Sequence, residues 1–299
     1  MKELSIITVP WNSEQFIAEQ IRSVVLGCRG LDFEHILVDN ASKDKTVEII
    51  QNQFSHVKLI ANKENMGFGY ANNQGAKIST GRYFLLLNPD MQLRPDSISG
   101  LVKWLDENPR VGLVSCKLVD ADGQFSVVAK PRRFPHFLEQ TALIFKLPHL
   151  FPKIFTRYLY NDFDENTLQE VETVRGAFML LRRDIYEKLG WLFDPRYFIW
   201  FEDIDLCREV KRLGYQVMYN PQVTCIDYVG RSFSKQKSSV WKQRQFTKSM
   251  MQYFRKWHPT YQWIIIATLR PLGILFTYIK DFVFSLTGKN LSDFSKLGK

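Results

Sequence analysis

Short apolar runs alternate with amphipathic stretches along the first half of the chain. Five of these runs predict buried strands, at residues 4–9, 35–38, 57–61, 83–87 and 111–119. The stretches between them carry apolar residues at helical spacing, as Ile98 and Leu101 do. Strands that alternate with helices predict an α/β fold, with a Rossmann-like, mostly parallel sheet flanked by helices.

Polar residues follow three of the predicted strands. Pro10 follows the first strand, Asp39 and Asn40 follow the second, and Asn88 and Asp90 follow the fourth. In an open parallel sheet, ligands bind at the carboxyl ends of the strands. We therefore expect these residues to line one ligand-binding crevice.

The second half of the chain is less regular. Residues 130–172 contain four prolines and predict a long excursion that is able to fold over an active site. A strand-like run at 172–182 follows, and a further helix begins near Glu202. Two short strands are predicted at 215–219 and 223–227.

The C-terminal segment differs in kind from the rest. Residues 238–258 predict a basic amphipathic helix, and residues 261–286 are very apolar but are interrupted by Arg270, Pro271 and Lys280. A helix that crosses a membrane needs about 20 consecutive apolar residues. The interruptions therefore predict two shorter helices that lie in the membrane interface, and burial against the protein's own core is the alternative.

Charge is distributed unevenly along the 299 residues. The formal net charge is +9, yet no Asp or Glu occurs between Tyr228 and Lys280. The cations of this interval are Arg231, Lys235, Lys237, Lys242, Arg244, Lys248, Arg255, Lys256, Arg270 and Lys280. Such a block predicts a surface for phospholipid, a lipid diphosphate or nucleic acid, and a solvated helical face is the plainer alternative. We predict a catalytic domain at 1–235 and a helical membrane-associating region at 236–299.

Two features indicate the compartment. The four cysteines are scattered without CxxC spacing, which argues against a structural zinc site or a disulfide framework and favours a reducing environment. The first strand begins directly after Met-Lys-Glu, without the apolar core of a signal peptide. We therefore expect the catalytic part to stay in the cytoplasm.

Three carboxylate motifs are candidates for chemistry. Asp90 in its Asn-Pro-Asp turn suits Mg²⁺ or Mn²⁺, although these residues also form ordinary turns. Asp39 is able to accept hydrogen bonds from a nucleotide, although Asp also begins many helices. Glu202 and Asp203 follow a run of bulky residues, which favours the raised proton affinity of a general base. Acids at a helix N-terminus also complement the helix dipole, so both interpretations of this motif stay open.

A glycine-punctuated loop at 62–69 lies between the third strand and a helix. Backbone N–H groups beside Asn65 and Gly67 are able to approach a phosphate or a base. The loop matches neither the P-loop pattern nor GxGxxG, so it indicates nucleotide binding only weakly when taken alone.

These segments occur together in a recognisable order. They are IITVPWNS (6–13), VDNAS (38–42), NKENMGFGYANNQG (62–75), LLLNPD (85–90), VRGAFMLLRR (174–183) and FEDIDLCREVKRLGY (201–215). The chain resembles the family 2 glycosyltransferases of the GT-A fold, in particular their bacterial rhamnosyltransferase-like branch. The resemblance covers about residues 3–235.

The resemblance implies a role for each matching residue. Asp39 is expected to contact the nucleobase, and Asp90 to ligate an Mg²⁺ or Mn²⁺ ion that bridges two phosphates. Asp203 is expected to be the general base, with Glu202 in support, and Gly176 to line the acceptor cleft. The implied nucleotide-sugar-binding set is Pro10, Asp39, Asn40, Asn65, Gly67, Asn88 and Gly176.

The chain departs from the family pattern at two positions. Asn88 stands where the metal motif has its first Asp, so Asp90 is expected to provide most of the protein's metal coordination. Asp227 stands where the family often has a metal-binding His. Asp227 either replaces that ligand with an oxygen donor or the site lacks it.

The implied activity is inverting, metal-dependent sugar transfer. The resemblance favours rhamnose from dTDP-rhamnose, with UDP-sugars open. The implied acceptor is a hydroxyl of a lipid-linked saccharide in the synthesis of a surface polysaccharide such as O-antigen. With the basic, apolar C-terminal region, this predicts a peripheral protein at the cytoplasmic face of the inner or plasma membrane.

Three other functions compete with this interpretation. A sugar nucleotidyltransferase would have a glycine-rich, cationic loop after the first strand, where this chain has Pro-Trp-Asn-Ser-Glu. A nucleic-acid-binding protein would explain the pI of about 9.3, but the sequence contains no nucleic-acid-binding motif. We therefore expect no nucleic acid among the partners. A membrane-bound sensor without catalysis would not need Asp90 and Asp203.

Overall fold

The computed structural model describes residues 2–145, 147, 152–228 and 238–287. The strands are β1 (Leu4–Thr8), β2 (Phe33–Asp39), β3 (Lys58–Ala61), β4 (Tyr83–Leu87), β5 (Met91–Leu93), β6 (Val111–Val119), β7 (Gln169–Glu170), β8 (Phe178–Arg182) and β9 (Gln216–Asp227). The helices are α1 (Ile17–Gly27), α2 (Thr46–Gln53), α3 (Phe68–Ile78), α4 (Ser97–Glu107), α5 (Phe137–Ile144), α6 (Arg183–Leu189), α7 (Glu202–Arg212), α8 (Ser239–Trp257) and α9 (Thr260–Thr287).

The strands form one sheet in the order β3-β2-β1-β4-β8-β6-β9-β5, and β7 pairs with β9. The predicted α/β fold is confirmed. The predicted parallel pairing is found from β3 to β4 and between β6 and β9. Strand β8 runs antiparallel to both of its neighbours, and β5 and β7 run antiparallel to β9, so the second half of the sheet is mixed.

The second half differs from the sequence prediction in three local features. The two predicted strands at 215–219 and 223–227 form the single strand β9, which stays paired with β6 through a register shift between Cys116 and Lys117. A bulge of this kind absorbs extra residues without ending a strand. Only Phe178–Arg182 of the predicted run at 172–182 is a strand, and the irregular segment contains the unpredicted helix α5.

Both faces of the sheet are covered by helices. One core contains Ile6, Leu85 and Leu180 of the sheet with Val24 of α1 and Leu101 of α4. The other core contains Ile7, Leu86 and Met179 of the sheet with Ala76 of α3 and Leu206 of α7. Successive residues of a strand point to opposite faces, so continuous apolar strands such as Tyr83–Leu87 are buried on both sides.

The chain divides into two compact units. The first comprises Met1–Phe134 and Arg157–Lys235, and the second comprises Pro135–Thr156 and Gln236–Lys299. The second unit therefore includes part of the segment that the sequence assigned to the catalytic domain. The functional division at 235 stays a prediction, as does the folding of the excursion over the active site.

In the second unit, α9 runs as one helix from Thr260 to Thr287 with Pro271 inside it. The prediction of two shorter helices is therefore wrong. Arg270 explains the continuity in part, because its Nε donates to Thr247 Oγ1 of α8 at 3.1 Å and its Nη2 donates to the Arg244 carbonyl at 3.3 Å. These bonds hold the helix to α8 where proline removes a backbone donor.

Helix α9 leaves much of its apolar surface exposed. The 20 residues Thr260–Ile279 are long and apolar enough to cross a membrane, judged by length and composition, and only 17% of this stretch is buried. Leu272 and Leu275 are 46% and 53% exposed. Of the predicted basic block, Arg231, Lys235, Lys237 and the side chain of Lys280 lie outside the described residues.

A buried polar cluster lies beneath the carboxyl end of β1. Thr8 Oγ1 lies 3.1 Å from His35 Nε2 and accepts a hydrogen bond from Gln20 Nε2 at 3.0 Å. Burial lowers the pKa of His35 to about 3, and the nearby His56 acts in the same direction. The folded protein therefore keeps this imidazole neutral through the acidic range in which an unfolded histidine takes up a proton.

We predict that His35 makes the folded state less stable as the pH falls below about 6.5. Protonation of the unfolded chain lowers the free energy of unfolding between about pH 6.5 and pH 3, because only the unfolded state binds the proton there. At pH 5 this loss is about 2 kcal/mol relative to neutral pH. Urea unfolding of wild type and His35→Gln at pH 7 and pH 5 measures this loss in the free energy of unfolding.

His56→Gln provides the matched control, because His56 is exposed. It is expected to keep most of the wild-type loss between pH 7 and pH 5. An equal loss in His35→Gln and wild type would contradict the prediction.

Candidate active site

The loops after β1, β2 and β3 are joined by hydrogen bonds. The Pro10 carbonyl accepts from the Asn40 backbone N–H at 2.9 Å. Asn40 Nδ2 donates to Asn65 Oδ1 at 3.1 Å, and Asn65 Oδ1 also accepts from the Gly67 N–H at 3.0 Å. The structure thus brings Pro10 and Asn40 together, two of the positions that the carboxyl-end rule assigned to one crevice, and adds Asn65 and Gly67 of the glycine-punctuated loop. Their binding roles stay predictions.

Asp39 ends β2 beside this cluster and is 1% exposed. Its carboxylate accepts hydrogen bonds from the Ser42 backbone N–H at 2.9 Å and from Ser42 Oγ at 2.5 Å. Burial raises the pKa of Asp39, and the Ser42 bonds oppose that rise. Each carboxylate oxygen has a second lone pair, so Asp39 is still able to accept from a nucleotide.

Gly67 fixes the loop against the segment that precedes α7. Its φ is +95°, and a Cβ added there would lie 2.6 Å from the Phe198 carbonyl oxygen. The N–H of the next residue, Phe68, donates to the same carbonyl at 2.8 Å. The left-handed backbone and the lack of space both require glycine at this position.

The Asn-Pro-Asp turn lies where β4 reverses into β5. The Asn88 N–H donates to the Ala177 carbonyl at 3.0 Å. The Asp90 carbonyl accepts from the Tyr228 N–H at 3.1 Å, and Asp227 is the strand partner of Met91. Asp90 and Asp227 are 5% and 4% exposed. The structure therefore brings the two predicted metal ligands to the same end of the β5–β9 pair.

These carboxylates suit a metal ion that also binds a ligand phosphate. No cluster of three or more His, Cys, Asp or Glu side chains suited to a metal occurs among the described residues. Mg²⁺ is commonly held by only one or two carboxylates, with substrate phosphates and water completing its shell. Asp90 with Asp227 fits such a shared coordination better than an all-protein cage.

Asp203 lies in the first turn of α7. Its Oδ2 accepts from the Gly176 N–H at 3.1 Å, and its Oδ1 accepts from the Ile204 N–H at 2.8 Å. Gly176 precedes Ala177, whose carbonyl binds the Asn88 N–H. One short backbone segment therefore connects the candidate base with the candidate metal turn.

Asp203 and its neighbour Glu202 differ in their surroundings. Burial raises the pKa of both carboxyl groups, and the charge of Asp203 raises the pKa of Glu202 further, to well above its ordinary value. The Gly176 and Ile204 N–H groups and Arg175 favour the ionised form of Asp203. We infer that Glu202 is the more readily protonated member of the pair and that Asp203 is the more readily ionised one.

Uncommon backbone conformations concentrate near this crevice. Trp200 and Phe201, directly before α7, have φ values of +65° and +67°, and Ala41, two residues after the end of β2, has +66°. Non-glycine residues in this region are costly and occur often where function fixes the backbone. No pattern in the sequence predicts these conformations.

Sequence reasoning also assigned no role to Arg175. Its Nη1 lies 4.0 Å from Asp227 Oδ2, and the residue directly precedes Gly176. The available signal was the position of this cation directly before Gly176, the glycine that binds Asp203, within the segment VRGAFMLLRR.

The family model described as glycosyl transferase family 2 matches residues 5–190. The chain belongs to this family. It is therefore a glycosyltransferase, and the resemblance inferred from its motifs is confirmed. This assignment replaces the nucleotidyltransferase and non-catalytic alternatives.

Several curated relatives are named for rhamnosyl transfer. An N-acetylglucosaminyl-diphospho-decaprenol L-rhamnosyltransferase of Mycobacterium tuberculosis is 25% identical over 68% of this chain and 69% of its own length. A rhamnosyltransferase of Escherichia coli is 28% identical over 56% of this chain and 64% of its own length. An O-antigen biosynthesis protein of Myxococcus xanthus is 27% identical over 76% of this chain but only 17% of its own length.

Solved structures agree with the fold. A mannosyltransferase from Pyrobaculum calidifontis, in complex with GDP-Man and Mn²⁺, has a TM-score of 0.58 at 17% identity and covers 99% of this chain and 78% of its own. Staphylococcus aureus TarS, in complex with UDP-GlcNAc, has a TM-score of 0.54 at 16% identity over 84% of this chain and 65% of its own. The predicted GT-A fold is thereby confirmed.

We predict that Gly67→Ala destabilises the glycosyltransferase by about 2–4 kcal/mol. The left-handed backbone accounts for about 1–2 kcal/mol, and the clash with the Phe198 carbonyl accounts for the rest. Gly30→Ala is the matched control, because Gly30 has φ +83° but no atom within 4 Å of its added Cβ. Urea unfolding of both variants separates the two contributions. Equal destabilisation would show that the contact with Phe198 is unimportant.

Proposed function

We propose that this glycosyltransferase moves a sugar, with inversion, from a nucleoside diphosphate donor to a hydroxyl of a lipid-linked saccharide. The favoured donor is dTDP-rhamnose, and the product enters a surface polysaccharide of the O-antigen type. The main support is the short backbone path from Asp203 through Gly176 and Ala177 to the Asn88 turn. This path holds a candidate base near a candidate diphosphate site.

The names of the relatives support the sugar and the acceptor. The Mycobacterium tuberculosis relative is named for transfer of L-rhamnose to N-acetylglucosaminyl-diphospho-decaprenol, and the Escherichia coli relative is named a rhamnosyltransferase. Both names fit the rhamnosyltransferase-like motifs of this chain. A prenyl diphosphate acceptor also fits the cationic and apolar composition of the C-terminal region.

Asp203 is the proposed general base. It takes the proton of the acceptor hydroxyl as that oxygen attacks the anomeric carbon. In this proposal Glu202 is the neutral member of the pair, and Asp203 is the ionised member that accepts the proton. Inversion needs a single catalytic carboxylate, because the departing nucleoside diphosphate requires no acid.

Asp90 is the proposed main metal ligand, with Asp227 as the second. When bound there, Mg²⁺ or Mn²⁺ would neutralise charge on the departing diphosphate. Asp39 is proposed to bind the nucleobase, and Asn65 and Gly67 to border the nucleotide. Mn²⁺ accompanies the nucleotide sugar in the Pyrobaculum calidifontis structure, which supports a divalent ion here.

The C-terminal unit is proposed to associate with the cytoplasmic face of the membrane. The support is the exposed apolar surface of α9, where Leu275, Phe276 and Ile279 are 53%, 47% and 48% exposed. Helix α8 contributes cations such as Lys248 and Lys256. Apolar insertion combined with cations is the usual basis of peripheral binding to anionic membranes.

Asp203→Asn is predicted to lower sugar transfer by about 10²–10⁴-fold, because it removes the proton acceptor. Its affinity for the donor should change less than about threefold. Mass spectrometry of a prenyl-diphosphate GlcNAc acceptor measures transfer from dTDP-rhamnose and UDP-sugars with Mg²⁺ or Mn²⁺. Calorimetry measures donor binding.

Asp162→Asn is the control for this pair of measurements, because Asp162 is 73% exposed and pairs with Arg133 on the surface. It should keep wild-type activity. Full activity in Asp203→Asn, or loss of donor binding, would refute the role of the base. A wild type that binds none of these donors would refute the proposed function.

Replacing Leu272 and Leu275 of α9 with Glu is predicted to abolish most co-flotation with phosphatidylglycerol vesicles. The two side chains are exposed, so the change removes membrane contact without emptying a core. The matched control replaces Val127 and Val128 of the first unit with Glu, and it should float as the wild type does. These two side chains are 71% and 55% exposed. Unchanged flotation of the α9 variant would argue against membrane binding through this surface.

A further inference from the structure

Arg175 lies among the candidate carboxylates but is not satisfied by them. Its Nη1 is buried and lacks a hydrogen-bond partner in the described part of the chain. Asp227 Oδ2, with which it forms an ion pair, is 4.0 Å away, which is beyond hydrogen-bond distance. The side chain as a whole is 39% exposed, so Arg175 lies at the edge of the site and not inside the core.

A buried N–H group without an acceptor is unfavourable and calls for an explanation. A closer ion pair with Asp227 would provide one, but the distance excludes a hydrogen bond. A ligand oxygen that arrives at the site would provide another. Arginine suits phosphate in particular, because its planar group offers several N–H donors in a fixed geometry.

The charges of the site favour the second explanation. Asp90, Asp203 and Asp227 lie on segments that meet around Gly176 and Ala177, and each carries negative charge when ionised. A diphosphate would be repelled from this region unless cations are present. A divalent metal held by Asp90 and Asp227 would supply one counter-charge, and the Arg175 guanidinium next to Asp227 supplies another.

We propose that Arg175 is a donor-binding residue whose guanidinium donates hydrogen bonds to the diphosphate of the nucleotide sugar. This inference rests on the proposed function. In the reaction, the acceptor oxygen forms a bond to the anomeric carbon and its proton passes to Asp203. The bond from that carbon to the diphosphate oxygen breaks, and its electron pair stays on the diphosphate, where Arg175 stabilises the charge.

The test compares nucleotides that differ only in their phosphates. Calorimetry measures the binding of UDP, dTDP, UMP and dTMP to the full chain with Mg²⁺ or Mn²⁺, for wild type and Arg175→Gln. We expect Arg175→Gln to weaken the binding of the nucleoside diphosphate by about 10–100-fold, as expected for loss of a charge-assisted hydrogen bond. Affinity for the matching monophosphate should change less than about threefold.

Arg29→Gln is the matched control, because Arg29 is 64% exposed and belongs to no part of the site. It should bind every nucleotide as wild type does. If Arg175→Gln does not fold, Arg175→Lys replaces it. That variant is expected to lose at least about threefold in diphosphate affinity, because the single ammonium of lysine does not reproduce the paired N–H donors of the planar guanidinium.

Four results would overturn the inference. Unchanged diphosphate affinity in the Arg175 variant would exclude contact with the donor. Equal losses for diphosphate and monophosphate would indicate that Arg175 only supports the local structure. A loss confined to geranyl diphosphate, measured in parallel, would assign Arg175 to the lipid acceptor. Failure of the wild type to bind any nucleoside diphosphate would contradict both the inference and the proposed function. The other results would leave the proposed function standing.

Discussion

The hydrogen bond from the Gly176 N–H to the Asp203 carboxylate determines the arrangement of the candidate site. It attaches the first turn of α7 to the segment that enters β8. The next residue, Ala177, accepts from the N–H of Asn88. Because β8 lies between β4 and β6, these two bonds attach the candidate base and the Asn-Pro-Asp turn to the segment that enters the middle of the sheet. A site built on a strand in this way keeps its geometry better than one on free loops.

The concentration of buried carboxyl groups is the main electrostatic problem of this site. Glu202, Asp90 and Asp227 are each at most 5% exposed, and burial without compensation disfavours the charged form. Different residues meet this cost in different ways. Burial and the charge of Asp203 raise the pKa of Glu202 and favour its protonated form, whereas two backbone N–H groups stabilise the Asp203 carboxylate. At Asp90 and Asp227, we propose that a metal ion bound together with the donor would supply the compensating positive charge.

Local periodicity was sufficient for the first half of the fold. Strands β1 to β4 are short, largely apolar runs separated by helices, so alternation and the carboxyl-end rule alone predict that Pro10 and Asn40 share one crevice. The second half depends on long-range pairing. Nothing near Phe178 in the sequence indicates that β8 runs antiparallel, and nothing near Pro221 indicates that β9 continues through a bulge. Likewise, Arg270 and Pro271 suggest a break in α9, but tertiary bonds to α8 override that local signal.

The two departures from the family pattern compensate each other in charge. Asn88 removes one negative charge from the metal motif, and Asp227 adds one where the family often has a neutral histidine. The β5–β9 pairing places both substitutions around Asp90, since Asp227 pairs with Met91 and Asn88 lies two residues before Asp90. A metal at Asp90 would therefore meet the same number of anionic side chains as in the usual pattern, with one of them moved to the opposite strand. Arg175 forms an ion pair with that carboxylate, so the electrostatic balance of the proposed diphosphate site would depend on Arg175 and Asp227 together.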